Sequence, residues 1–144
     1  MITNKIAYFD YNIEDELEAG IVLMGDEVKA VRANRVSLKG SYAKIFFNDK
    51  NKPEVFLVGS YFNTSNADPY RTRKLLLKKS EIEKLVGKVN EKGLTLLPLK
   101  MYFKKGLVKV LLGLGRGKKK FDKREALRKR DAMLKINRAI KKRG

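Results

Sequence analysis

Between residue 5 and about residue 112 the hydrophobic positions fall in short runs, many with a period of two, separated by turn-forming residues. Glu18-Ala19-Gly20-Ile21-Val22-Leu23 predicts a buried strand entered through a glycine. Tyr42, Lys44 and Phe46 alternate with Ala43, Ile45 and Phe47, which suits a second strand. Asn48-Asp49-Lys50-Asn51-Lys52-Pro53 supplies a turn, and Glu54-Val55-Phe56-Leu57-Val58 starts the next strand. Residues 63–70 (NTSNADPY) predict a loop, because their side chains hydrogen-bond their own backbone. Two further β runs, 94–103 and 107–112, flank Lys104-Lys105-Gly106, the expected hairpin turn; Pro98 requires an edge position or a bulge.

Before residue 113 only two segments carry a helical period. In residues 80–91, Ile82, Leu85, Val86 and Val89 form the i, i+3, i+4, i+7 stripe. Ser80 with Glu83 is the expected capping box, and Gly93 the expected stop. Val28 and Val31 predict one face of a short helix capped by Asp26. Five or six short strands with one well-capped helix among them predict a mostly β fold with short helices: a small closed β-barrel of the oligonucleotide-binding type. Residues 1–112 are the expected barrel domain and residues 113–144 a basic C-terminal tail, helical when bound.

Charge changes this picture most. The 144 residues carry a formal net charge of +18, and residues 116–144 alone hold 14 Lys/Arg against 3 Asp/Glu. An excess of this size is the footprint of a polyanion, nucleic acid or an anionic membrane. No apolar run approaches the ~20 residues needed to span a bilayer, and no secretory apolar segment follows Met1. The absence of cysteine excludes disulfides and thiolate metal sites, and the absence of histidine removes the commonest general base and zinc ligand. A cytoplasmic location is compatible with that composition.

Within the tail, Gly113-Leu114-Gly115-Arg116-Gly117 before Lys118 superficially suggests a phosphate-binding loop. That motif needs a glycine where Leu112 stands and a Ser or Thr where Lys119 stands, so the run is read instead as a flexible hinge. The basic comb beyond it holds one aromatic, Phe121. Lysine and arginine meet phosphates without reading sequence, and an aromatic among them offers a stacking face for a base. Tyr70, Arg71, Arg73 and Lys74 form a second basic patch with an aromatic. Asp10, Glu14, Asp15, Glu16 and Glu18 could in principle hold Mg²⁺ for a nuclease, but nothing in their spacing makes them converge, and no nucleophile–base pair accompanies them. No enzyme activity, cofactor or metal site is expected.

Four blocks then carry a resemblance: NKIAYFDYNIEDELEAGIVLMGDEVKAVR, DPYRTRKLLL, EKGLTLLPLKMYFKKGLVKV and GLGRGKKKFDKRE. In this order and spacing they closely resemble the SsrA-binding protein family, also called small protein B. The resemblance implies a bacterial protein that binds the tRNA-like part of transfer-messenger RNA (tmRNA) and escorts it into stalled ribosomes. The tail would occupy the decoding site and the empty mRNA channel, against ribosomal RNA. Carried over by position, Asn4, Tyr11 and Glu18 would face RNA; from their charge alone Lys5, Arg71, Arg73 and Lys74 are expected as further barrel contacts, with the capping of a strand as the alternative for the second basic patch. Arg116, Lys118, Lys119, Phe121, Asp122, Lys123, Arg124 and Ile140 would act on the ribosome. Phe121 stands where other members often have histidine, so it can stack but cannot hydrogen-bond there. Neither membrane nor DNA is expected as a partner. A constitutive ribosomal protein would show a similar charge pattern.

Overall fold

The computed structural model describes residues 1–65 and 68–118, together with residues 124, 127, 128 and 130. The elements run β1 (Ile2–Thr3), α1 (Lys5–Asp10), β2 (Tyr11–Ile21), α2 (Gly25–Arg32), β3 (Val36–Ser37), β4 (Tyr42–Phe47), β5 (Pro53–Val58), β6 (Tyr61–Phe62), β7 (Arg73–Leu76), α3 (Lys79–Lys92), β8 (Thr95–Lys104) and β9 (Leu107–Gly117). Seven strands form one antiparallel sheet in the order β1-β8-β9-β2-β7-β5-β4, and β3 pairs with β6 apart from it.

The local patterns that were strongest in the sequence fold as expected. β4 and β5 pair in register from Tyr42 opposite Val58 to Phe47 opposite Pro53. β8 and β9 form a long hairpin whose turn residues, Lys105 and Gly106, both have positive φ (51° and 78°), the geometry that suits the right-handed strand twist. The ladder slips between Pro98 and Lys100, the bulge that a proline without an N–H demands. Gly93 ends α3 at φ 64°.

Other expectations are corrected. The strand proposed around 18–23 starts earlier, at Tyr11, and ends at Ile21. Residues 5–10 form α1, which the sequence pattern missed. The α3 cap lies at Lys78, whose N–H donates to the Glu81 carboxylate at 2.9 Å, in place of the Ser80–Glu83 box. Likewise α2 is capped at Met24, whose N–H donates to Glu27 at 2.8 Å, so Asp26 lies inside the first turn. The glycine run 113–117 is not a hinge: it is the last part of β9, paired with β2 as far as Gly117 opposite Tyr11.

The sheet is also not closed into a barrel. The edge strand β4 approaches β8, which lies next to the other edge strand β1, yet β4 and β8 do not pair. A cleft of about 360 Å³ lies between them, lined by Ala43, Ile45 and Phe47 of β4, Val86 and Val89 of α3, and Leu94 and Leu96. Side chains of α3 line the gap where a closing ladder would have run. The inner face of the sheet buries Ala19, Val55, Leu57, Leu75, Met101, Val110, Leu112 and Leu114 against Val31 of α2 and Leu85 of α3. This main core carries the hydrophobic stabilisation. A second, smaller cluster of Ala7, Leu97 and Leu99 is completed by Tyr8, Tyr11, Ile13 and Leu111, where α1 packs on β8, β9 and β2. Among the described residues no helix is long and apolar enough to cross a membrane.

Candidate nucleic-acid interface

Asn4 organises one end of the interface. Its side-chain oxygen accepts from the Ala7 N–H at 3.3 Å, capping α1. Its amide nitrogen donates to the carbonyls of Leu38 at 3.2 Å and Pro98 at 2.9 Å, and its backbone N–H donates to Leu99 O at 2.8 Å. The side chain is 5% exposed and both its donors are engaged, so Asn4 pins α1 to the β8 bulge and leaves little to offer a ligand. Lys5, the next residue, is exposed. Tyr11 opens β2 and lays its ring on the Ala7–Leu97–Leu99 cluster.

The glycines of β9 make this layer possible. A Cβ on Gly113 would stand 2.6 Å from Leu99 Cδ1, and one on Gly115 would stand 2.8 Å from the Asn12 carbonyl oxygen. Leu99 is fully buried, so it has little room to retreat. These positions serve close packing of strand on strand and of α1 on the sheet.

Arg116 and Lys118, assigned to the tail by resemblance, sit at this same end. The Arg116 Nε donates to Glu14 Oε1 at 3.0 Å, and the Lys118 N–H donates to Asp10 O at 2.8 Å. Arg124 is exposed in helical conformation. Lys119, Phe121, Asp122, Lys123 and Ile140 lie outside the described residues.

Farther along β2, Glu18 is half-buried and accepts from the Tyr102 hydroxyl at 2.5 Å and from Lys104 Nζ at 3.3 Å. These hydrogen bonds, the one from Tyr102 foremost, hold the Glu18 carboxyl below its usual range despite its partial desolvation. Burial, with the Glu18 hydrogen bond and charge behind it, pushes the Tyr102 phenol up to about 12. The carboxylate is therefore an ionised acceptor that orients one phenol and one ammonium. Lys100 stands 6.0 Å from the Tyr8 ring, and Lys109 adds a further cation opposite Tyr102. A strip of lysines and tyrosines thus runs over the β8–β9–β2 face, suited to phosphates and to stacked bases. Sequence reasoning missed Lys100, Tyr102 and Lys104, although their alternation on one strand was visible.

The second basic patch divides. Arg73 is fully buried: its Nε donates to Glu27 at 2.5 Å, its remaining nitrogens to the carbonyls of Ser60, Asp68 and Pro69, and its guanidinium lies 3.9 Å from the Phe62 ring. Arg71 also turns inward, donating to Glu27 at 2.5 Å. The expectation that Arg73 meets RNA is therefore corrected; it locks the loop before β7 onto α2. Of its three cations only Lys74 is exposed, on the opposite half of the sheet, 3.5 Å from Glu54, and Tyr70 is exposed as well. Glu27 was also missed, although its spacing from Ala30 and Val31 puts it on the buried stripe of α2. The carboxylates considered for Mg²⁺ diverge: Glu14 pairs with Arg116, Asp15 with Lys88 and Glu18 with Lys104. Among the described residues no group of three or more acidic side chains could hold a metal ion.

An open antiparallel sheet, a face of alternating lysine and tyrosine, and a strongly basic chain beyond it define a β-sheet protein with a polyanion-facing surface. Residues 1–142 match the model of the SmpB protein family, and the chain belongs to that family. The SsrA-binding protein of Geobacillus sp. (strain WCH70) is 51% identical over 146 residues, covering 97% of this chain and 91% of that protein. That of Bacillus subtilis (strain 168) is 51% identical over 144 residues, covering 96% and 89%. A chain from the solved structure described as "tmRNA-SmpB: a journey to the center of the bacterial ribosome" matches with a TM-score of 0.67 at 46% identity, covering 88% of this chain and 94% of that one.

Proposed function

We propose that this protein is the RNA-binding adaptor of trans-translation. It binds tmRNA through the folded domain and delivers it to stalled ribosomes; it is not an enzyme. Its workplace is then the cytoplasm, where the ribosomes are. The observation that carries this reading is the Glu18–Tyr102–Lys104 arrangement on a lysine-rich sheet face, in a chain whose family relatives bear the name SsrA-binding protein. Within this reading the folded domain grips the tRNA-like part of the RNA. The chain from Lys119 onward acts at the decoding site and in the empty mRNA channel, with Lys119, Lys123 and Arg124 against phosphates and Phe121 against a base.

The division is tested by a chain ending at Gly117. It should retain tmRNA binding, because Lys5, Tyr11, Glu18, Tyr102 and Lys104 all remain, and should lose peptide tagging on stalled ribosomes. Phe121→Ala in the full chain should cut tagging about tenfold while free-RNA affinity stays unchanged, whereas Phe121→Tyr keeps the ring and the activity. Equal loss of RNA binding and tagging on truncation would refute the division. Equal sedimentation of the protein with translating and stalled ribosomes would favour a constitutive ribosomal role.

A further inference from the structure

The outward face of β4, β5 and β7 carries a feature that the proposed tmRNA-binding face does not require. In register across the three strands stand Lys44, Phe56 and Lys74, an aromatic flanked on both sides by a lysine. Phe46 meets Phe56 edge-on, with ring centroids 5.5 Å apart, and Lys44 Nζ lies 5.0 Å from the Phe46 centroid. Tyr42 continues the same side of β4. Phe46 and Tyr42 remain 44% and 42% exposed, and Phe47 at the strand end is 55% exposed. An open apolar groove runs between Phe46, Phe47, Phe56 and Thr72.

The solvent face of an antiparallel strand ordinarily carries polar side chains, so contiguous exposed rings mark a contact surface. Its composition decides the partner. Lysines standing on either side of a ring suit a chain that presents flat bases and phosphates alternately; an apolar protein surface would gain nothing from them. Glu54, the acidic side chain on this face, is tied to Lys74 at 3.5 Å and to Asn48 at 2.9 Å. Tyr42 and Phe46, four residues apart on one strand, are separated by roughly 13 Å, room for about two or three unpaired nucleotides.

We propose that the β4–β5–β7 face, through Tyr42, Phe46 and Phe56 with Lys44 and Lys74, is a second RNA-binding site that stacks unpaired nucleotides. It is separate from the β8–β9–β2 face and stands or falls independently of the tmRNA reading. Double-stranded RNA, whose bases are already stacked, is not its ligand.

The test uses the full chain and a labelled oligouridylate of about eight nucleotides. Binding is measured at raised salt, where purely phosphate-directed contacts weaken most steeply. Ultraviolet cross-linking followed by peptide mass spectrometry then locates the contact. Cross-links should map to residues 42–58. The Phe46→Leu/Phe56→Leu variant, which keeps apolar volume but removes both rings, should lose those cross-links and about tenfold of the raised-salt affinity. Its denaturation midpoint and its affinity for a duplex RNA of equal length should match the parent, and Phe46→Tyr should retain binding. Absence of cross-links in residues 42–58, or unchanged oligouridylate affinity in the double-leucine variant, overturns the proposal. So does capture of an apolar acidic peptide by this face with no RNA binding there.

Discussion

Replacing Glu27 by glutamine should destabilise the fold far more than a charge-to-amide change on a surface helix would. Glu27 and Arg73 are both fully buried, 2.5 Å apart, and Glu27 also takes the Arg71 guanidinium at 2.5 Å and the Met24 N–H at 2.8 Å. Glutamine preserves the shape and one acceptor but removes the negative charge. Arg73 would then keep its positive charge in the interior, with only the carbonyls of Ser60, Asp68 and Pro69 and the Phe62 ring as partners. Breaking a buried pair from one side costs about 3–5 kcal/mol, most of it the stranded charge. That is a large fraction of the roughly 5–15 kcal/mol typical of a domain, so the unfolding midpoint should fall by about 10 °C or more. Equilibrium denaturation of Glu27→Gln measures the loss. A double variant, Glu27→Leu with Arg73→Met, removes both charges and should recover much of it.

The same carboxylate gives the acid limb of stability. Burial alone would raise its pKa, but hydrogen bonds from Arg71, the Met24 N–H and Arg73, with the Arg73 charge, together hold it below the ordinary 4.5. A depressed folded-state value means the contribution is complete above pH ~4.5 and is lost as pH falls through the lower folded value. Glu27→Gln should remove that limb. A cost within about 1 kcal/mol, or an unchanged acid limb, would refute the account of a buried, charge-dependent lock.

Gly113→Ala should cost about 1–3 kcal/mol, because its Cβ would press on the fully buried Leu99, and Gly115→Ala should disturb the β2–β9 ladder itself at the Asn12 carbonyl; denaturant midpoints equal to the parent's would restore the hinge reading. In an absorbance titration one of the six tyrosines should ionise near pH 12, and Tyr102→Phe should remove that step. Glu18→Ala should move it toward 10 without reaching it, because burial is the larger cause; six tyrosines titrating together would sink this assignment.

What was legible in the sequence depended on how far away the deciding partner lay. The β4–β5 and β8–β9 hairpins and the end of α3 at Gly93 rest on alternation and turn chemistry within a dozen residues, and these folded as read. α1 is six residues long, too short to show a period, and it is held by the Asn4 cap and by Leu97 and Leu99 from a distant strand. Arg71 and Arg73 are two apart on an extended segment, so they were bound to share a side. Which side was decided by Glu27, more than forty residues earlier. The closed barrel failed for a similar reason, since α3 places Val86 and Val89 at the gap between β4 and β8. Of the interface, Glu18 was legible as an acceptor, but its partners Tyr102 and Lys104 come from a strand eighty residues away.

The misread glycine run alters how the two halves of the proposed adaptor cooperate. A hinge at 113–117 would let the basic segment depart in any direction, leaving its starting point uncorrelated with the RNA held by the sheet. Instead β9 stays paired to Gly117, opposite Tyr11, and the Lys118 N–H is fixed to the Asp10 carbonyl at the end of α1. Everything after residue 118 therefore starts from one place, beside Asp10 and Tyr11, where α1 ends and β2 begins. Tethering of this kind raises the effective concentration of one contact once the other is made, and the gain is greatest when the anchor does not wander. The glycines serve that end by giving up side chains, so that Leu99 and the β2 backbone can come close enough to hold the strand in place.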